Sequence, residues 1–162
     1  MSNPNVSEDA LVIERTFDAP QNLIWKMWTQ PEHFKNWYGP KGMSVPVAEI
    51  DLRVGGKRLV CMEMQTPEGS MKMCTTGEHT EVVPNQRLVY TESMADEQGN
   101  VVSMGDSAHP TTTEVTILLE DLGGSTKMVM THAGVPADSP GASGWNQAFD
   151  KLANHIETVL NK

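Results

Sequence analysis

Two histidines carry the side chains best suited to proton chemistry near neutral pH. His79 and His132 both fall on the side of an alternating stretch that parity assigns to the interior. An imidazole in an apolar interior can orient a polar ligand group or act as acid or base. A lone core histidine held by a backbone partner is the plainer alternative, and the residues leave both open. Glu63 and Glu81 could supply a carboxylate, but parity turns Glu63 outward, and an irregularity near Glu81 leaves its side undecided. No pair among these residues has the close helical spacing of known metal motifs, so neither a metal site nor another cofactor is expected.

Cys61 and Cys74 are the only cysteines, too few for a zinc site or a disulfide framework. Reduced, buried thiols are expected, because a reducing cytoplasm disfavours a disulfide. The two nevertheless flank Pro67-Glu68-Gly69 almost symmetrically, so a hairpin there would set them nearly opposite each other, and a disulfide is the alternative.

Methionine is the most individual feature. With Lys72, Lys127, Glu114 and Glu120 assigned to solvent, Met71, Met73, Met128 and Met130 point inward, and Met62 and Met64 join them. Thioether side chains are flexible and polarizable and touch aromatic rings favourably. Met62, Met73, Met128 and Met130, with His79, His132, Trp145 and Phe149, are therefore the candidate lining of a deformable apolar pocket. The alternative is that the methionines pack directly on the aromatics of a helix.

These side chains need elements to hold them. Trp145, Ala148, Phe149, Leu152, Ile156, Val159 and Leu160 recur at three- and four-residue steps, which predicts an amphipathic helix of about four turns over residues 145–160. Residues 11–17 read as a first strand. Asp18-Ala19-Pro20 opens a helix carrying Leu23, Ile24, Met27 and Trp28, and residues 31–37 read as a second short helix. From Met43 the period falls from 3.6 to 2. Ala48, Ile50, Leu52 and Val54 predict a strand ending at Gly55-Gly56, and about five more strands follow, joined by turns at residues 66–70, 84–85 and 121–124. Short turns imply antiparallel pairing, and the terminal helix is the only element large enough to cover the sheet. Residues 94–112 lack periodicity and hold Met94, Met104 and His109; a connection of this length is a candidate lid.

The totals bound the function. A domain of this length buries roughly 70% of its unfolded surface without staples, and a single domain over residues 11–162 is expected after a flexible, polar stretch at 1–10. The balance of 21 acidic against 12 basic residues argues against nucleic acid as a partner. No secretory h-region and no apolar run of the roughly 18 residues needed for a membrane span is seen, so a soluble, cytoplasmic protein is expected.

Several stretches taken together resemble a known family. Ala19-Pro20, Trp25, Trp37-Tyr38-Gly39-Pro40, Asp51 through Gly55-Gly56, Gly77 with Glu81-Val82, Pro84 before Arg87-Leu88-Val89-Tyr90-Thr91, Thr112-Thr113, and Gly144-Trp145 with Asp150-Lys151-Leu152 are similar to the activator of heat-shock-protein-90 ATPase homologue-like family, within the START-like (SRPBCC) superfamily. The resemblance runs in order from about residue 11 to 160. It implies an α+β helix-grip fold: a curved antiparallel sheet wrapped around a long C-terminal helix, two short helices after the first strand, and a cavity between sheet and helix. The superfamily shares no single catalytic motif, so the resemblance carries over no catalytic residue.

The expected function is binding of a hydrophobic or aromatic small molecule under the C-terminal helix. One alternative is an enzyme of cyclase, dehydratase or hydrolase type using His79 or His132. Another is a co-chaperone-like interaction module whose acidic surface meets a basic partner. A homodimer stays open.

Overall fold

The computed structural model describes residues 10–101, 112–134 and 140–160. The elements run β1 (Ala10–Phe17), α1 (Gln21–Thr29), α2 (Pro31–Phe34), β2 (Ser44–Ile50), β3 (Lys57–Thr66), β4 (Gly69–Val83), β5 (Arg87–Ala95), β6 (Thr112–Asp121), β7 (Thr126–Ala133) and α3 (Pro140–Leu160). All seven strands join one curved sheet in the order β1-β7-β6-β5-β4-β3-β2, each neighbouring pair antiparallel. The chain thus starts at one edge, crosses to the other through α1 and α2, and returns strand by strand. This is the helix-grip arrangement, with α3 on the inner face.

Alternation builds that inner face. Leu88 and Tyr90 of β5, Val115, Ile117 and Leu119 of β6, and Met128, Met130 and His132 of β7 are buried at every second position. The registers Val115↔His132, Ile117↔Met130 and Leu119↔Met128 set them side by side. Trp145, Ala148, Phe149, Leu152 and Ile156 are the buried stripe of α3. Each large apolar side chain so buried contributes about 1.5–3 kcal/mol. Trp28, Trp37 and Phe34 pack beside Phe149; Trp28 lies edge-on to Trp37 at 4.8 Å and to Phe149 at 6.1 Å. The indole N–H of Trp28 reaches Met128 Sδ (3.2 Å), and that of Trp37 donates to the Met27 carbonyl (3.1 Å), so neither ring buries an idle donor.

Several expectations need correcting. Cys61 and Cys74 form a disulfide, with Cα atoms 4.0 Å apart. The β3–β4 register places the two directly opposite, so the hairpin itself presents the sulfurs to each other. Met71 and Met73 are exposed rather than interior. The outer part of this hairpin, residues 65–73, extends past whatever would cover it and is almost wholly exposed, so parity there chooses between two wet faces. β2 stops at Ile50, leaving Leu52 and Val54 exposed. Residues 51–56 instead form a tight loop closed by Asp51 N–H to the Lys57 carbonyl (3.0 Å) and Gly56 N–H to the Arg53 carbonyl (2.8 Å). α2 ends at Phe34, though turn bonds from Trp37 and Tyr38 back to the Phe34 carbonyl carry the coil a little further. α3 begins at Pro140, a residue whose fixed φ suits a first helical turn.

Met94 lies on β5 opposite Thr75. Met104, His109 and the remainder of the candidate lid from 102 to 111 lie outside the described residues, as do residues 1–9. Among the described residues no helix is long and apolar enough to cross a membrane.

Candidate functional site

The turn after α2 forms one wall of a cavity of about 390 Å³ on the inner face, supplying Tyr38, Gly39 and Pro40. Gly39 has φ +89°, and a Cβ there would sit 2.7 Å from Met62 Sδ, so both backbone and space require glycine. α3 anchors this turn. Gln147 Oε1 accepts the Lys41 N–H (2.9 Å), while Lys151 Nζ donates to the Tyr38 and Pro40 carbonyls (3.3 and 3.2 Å). Those two side chains stand four residues apart, on one face of the helix. Burial pushes the Lys151 ammonium pKa down.

β3 and β4 supply the second wall as a directly facing pair, Met62 and Met73. Gly144, Trp145 and Ala148 supply the third from the N-terminal turns of α3, and Glu92 projects from β5. The Tyr38 and Trp145 rings meet edge to face at 5.7 Å and 81°. Apolar walls with one convergent polar group are what a small-molecule site requires. A depression of about 550 Å³ on the outer face has a different character: Glu49, Lys57, Thr76, Glu78 and Gln98 contribute to it, and it lies away from the helix.

Behind the cavity runs a hydrogen-bonded chain. Trp145 Nε1 donates to His132 Nδ1 (3.0 Å). Indole nitrogen only donates, so His132 Nδ1 accepts and the ring proton sits on Nε2. That proton goes to Thr113 Oγ1 (2.8 Å), whose hydroxyl donates to the Glu92 carbonyl (3.3 Å). The Glu92 side chain accepts the Tyr38 hydroxyl at Oε2 (3.1 Å), and its Oε1 lies 3.7 Å from His132 Nε2, beyond hydrogen-bond length. Burial lowers the His132 pKa, opposed by the Glu92 charge. Burial, then Glu92, raises that of Tyr38 well above 10.0, so the phenol stays a donor.

A family model for activator of Hsp90 ATPase homolog 1-like proteins matches residues 18–157. The chain belongs to this family. Among solved structures, a protein from Nitrosomonas europaea is 25% identical with a TM-score of 0.73, over 96% of this chain and 99% of that one. Another, from Chromobacterium violaceum, is also 25% identical with a TM-score of 0.73, over 93% and 99%. A Mycobacterium smegmatis protein at 23% identity (TM-score 0.71, over 96% and 94%) shares the fold. No curated protein matches.

In this family member the eight residues singled out from the sequence occupy three places. Met62, Met73 and Trp145 line the cavity, with His132 directly behind Trp145. Met128, Met130 and Phe149 are fully buried in the aromatic core with Trp28, and the structure does not bring them to the cavity wall. His79 is elsewhere, opposite Tyr90 on β4. Its Nδ1 donates to the Gly56 carbonyl (3.0 Å), and the Gly55–Gly56 segment bonds back to its backbone, so it fastens the 51–56 loop. Arg58 lies beside it, its guanidinium 3.6 Å from the centre of the Tyr90 ring, with no carboxylate paired to it among the described residues. Arg58 Nη1, His79 Nε2 and Tyr90 OH are buried without a hydrogen-bond partner. Burial and then Arg58 lower the His79 pKa. Among the described residues no group of three His, Cys, Asp or Glu is arranged to hold a metal ion.

Sequence reasoning missed Glu92, Tyr38, Pro40 and Gly144 as site residues. The signal for Glu92 was present, because Leu88, Tyr90 and Glu92 continue one alternation.

Proposed function

We propose that this protein binds a hydrophobic or aromatic small molecule in the cavity between its sheet and the N-terminal turns of α3. The observation that carries this reading is the cavity of about 390 Å³ walled by Tyr38, Trp145, Met62 and Met73, a volume within the range of small-molecule sites. Thioethers and aromatic faces accommodate varied apolar shapes. The placement of the histidines favours binding over turnover: both His132 nitrogens are engaged by Trp145 and Thr113, and His79 serves the 51–56 loop.

Titration with the neutral fluorescent probe N-phenyl-1-naphthylamine tests it. Saturable enhancement of probe emission is expected with the wild type, and its loss with Gly144→Leu, whose side chain grows into the cavity. Equal enhancement by both proteins, or none by either, would overturn the reading.

A further inference from the structure

We propose that the cavity selects molecules whose apolar body carries a positively charged ammonium group, with Glu92 as the counter-charge. The proposal deepens the ligand-binding reading above and rests on it.

Glu92 is the only ionisable carboxylate on the cavity wall, and no Lys or Arg lines that wall. Its side chain is 16% exposed, a mostly desolvated position for a group that prefers water or a cation. Of its oxygens, Oε2 holds the Tyr38 hydroxyl, a neutral donor, and Oε1 holds no protein hydrogen bond among the described residues. The one nearby base does not supply a charge. His132 accepts the Trp145 indole proton at Nδ1, and an imidazolium, with hydrogens on both nitrogens, could not do so. Lys151, the nearest ammonium on α3, is committed to the Tyr38 and Pro40 carbonyls. The carboxylate therefore faces the cavity without a compensating positive charge among the described residues.

The remaining walls suit the same guest. Tyr38 and Trp145 set two rings at 81° around the space, and an ammonium over an aromatic face is attracted by the ring quadrupole. Met62 and Met73 add polarizable sulfur. An anionic ligand would meet a carboxylate and two electron-rich faces. The formal net charge of −9 acts in the same sense at longer range, concentrating cations near the surface.

The test compares phenyltrimethylammonium with its neutral isostere tert-butylbenzene and the anion benzenesulfonate, by NMR titration of the intact protein. Wild type is expected to bind the ammonium at least tenfold more tightly than the isostere, and the sulfonate not at all. Glu92→Gln keeps the side-chain shape and the Tyr38 bond, and should bring the ammonium-to-isostere ratio within twofold of one. If that variant does not fold, Met73→Lys, at an exposed position on the rim, should remove the preference by bringing an ammonium to Glu92. Equal affinity for the ammonium and the isostere in wild type, or a preference that survives both substitutions, overturns the proposal and leaves the ligand-binding reading standing. Binding of none of the three probes overturns both.

Discussion

The Trp145 indole N–H donates to His132 Nδ1 across 3.0 Å, and that bond fixes the charge state of the imidazole behind the cavity. Protonating His132 would turn an acceptor into a donor facing a donor. The bond therefore acts with burial, and against Glu92, to keep the ring neutral. In Trp145→Phe the clash of donors disappears while Glu92 remains. The His132 pKa, now held below 6.5, is expected to rise, as read from the imidazole proton shifts in an NMR titration. Stability should fall by at least about 1 kcal/mol for the lost buried hydrogen bond. A His132 pKa that stays where it is in the variant would contradict this account.

Both interior histidines make stability depend on pH in one direction. Burial lowers the pKa of each from 6.5, with Arg58 adding to the effect at His79. Just below pH 6.5 the unfolded chain binds more protons than the folded one, so stability rises with pH through that window. Their contribution is complete above about 6.5, declines as pH falls, and levels off once the folded-state imidazoles also protonate. The urea midpoint is expected to be lower at about pH 5 than at about pH 7.5. The drop should shrink in His79→Asn, whose amide can still donate to the Gly56 carbonyl. A midpoint that rises on acidification would show that neither histidine is held neutral by the fold.

The Cys61–Cys74 bridge closes a loop of sequence separation 13. Chain-entropy reasoning gives about 3 kcal/mol for a loop of that size, an upper figure here because the hairpin turn already limits the open chain. Reduction, or the double substitution Cys61→Ser and Cys74→Ser, is expected to cost about 1–3 kcal/mol. The backbone pairing of β3 with β4 should persist, since it runs well beyond the bridge. Urea melts with and without reductant measure this. Coincident curves would mean that the thiols are free in solution.

What was legible in the sequence follows from what periodicity can encode. The α3 stripe of Trp145, Phe149, Leu152 and Ile156 and the alternation of β6 and β7 were readable because one face of each is buried along most of its length. Parity failed at Met71 and Met73, where both faces of the hairpin are wet. It also failed to separate Met128 and Met130 from Met62. Alternation says which face a side chain takes, but whether that face meets a ring or a void depends on Trp28 and Tyr38, contributed by distant segments. The cysteine pair turned on one residue of register, which the turn sequence left open. Tyr38, Gly39 and Pro40 stood in a stretch that marked the family, yet a turn carries no period from which to infer a wall.

Arg58 offers a test of how the buried polar cluster is balanced. Its guanidinium is 4% exposed, stacked on Tyr90, and without a paired carboxylate among the described residues. Stacking is worth about 2 kcal/mol when desolvated, whereas removing such an ion from water costs several kcal/mol. The cost exceeds the gain, so Arg58→Met is expected to raise stability by about 1 kcal/mol or more. It should also let the His79 pKa recover part of the way toward 6.5, because the guanidinium is one cause of its depression. A loss of stability in urea titrations would show that the guanidinium is better compensated than its contacts suggest.

Gly144 sets stability against binding at a single atom. It lies inside α3, where glycine is less favourable than alanine by about 0.8–1.0 kcal/mol. A Cβ added there would lie 3.4 Å from Pro40 Cγ, an ordinary contact, so the fold can accept it. Gly144→Ala is therefore expected to stabilise the protein by about 0.5–1 kcal/mol. The same methyl group enters the space between Pro40 and Trp145, and affinity for the neutral probe should fall severalfold, with Gly144→Leu abolishing it. Measured together, thermal midpoint and probe affinity should move in opposite directions. If alanine stabilises the helix while affinity is unchanged, the probe occupies some other part of the molecule, because a ligand bounded by this wall must register a methyl group added to it.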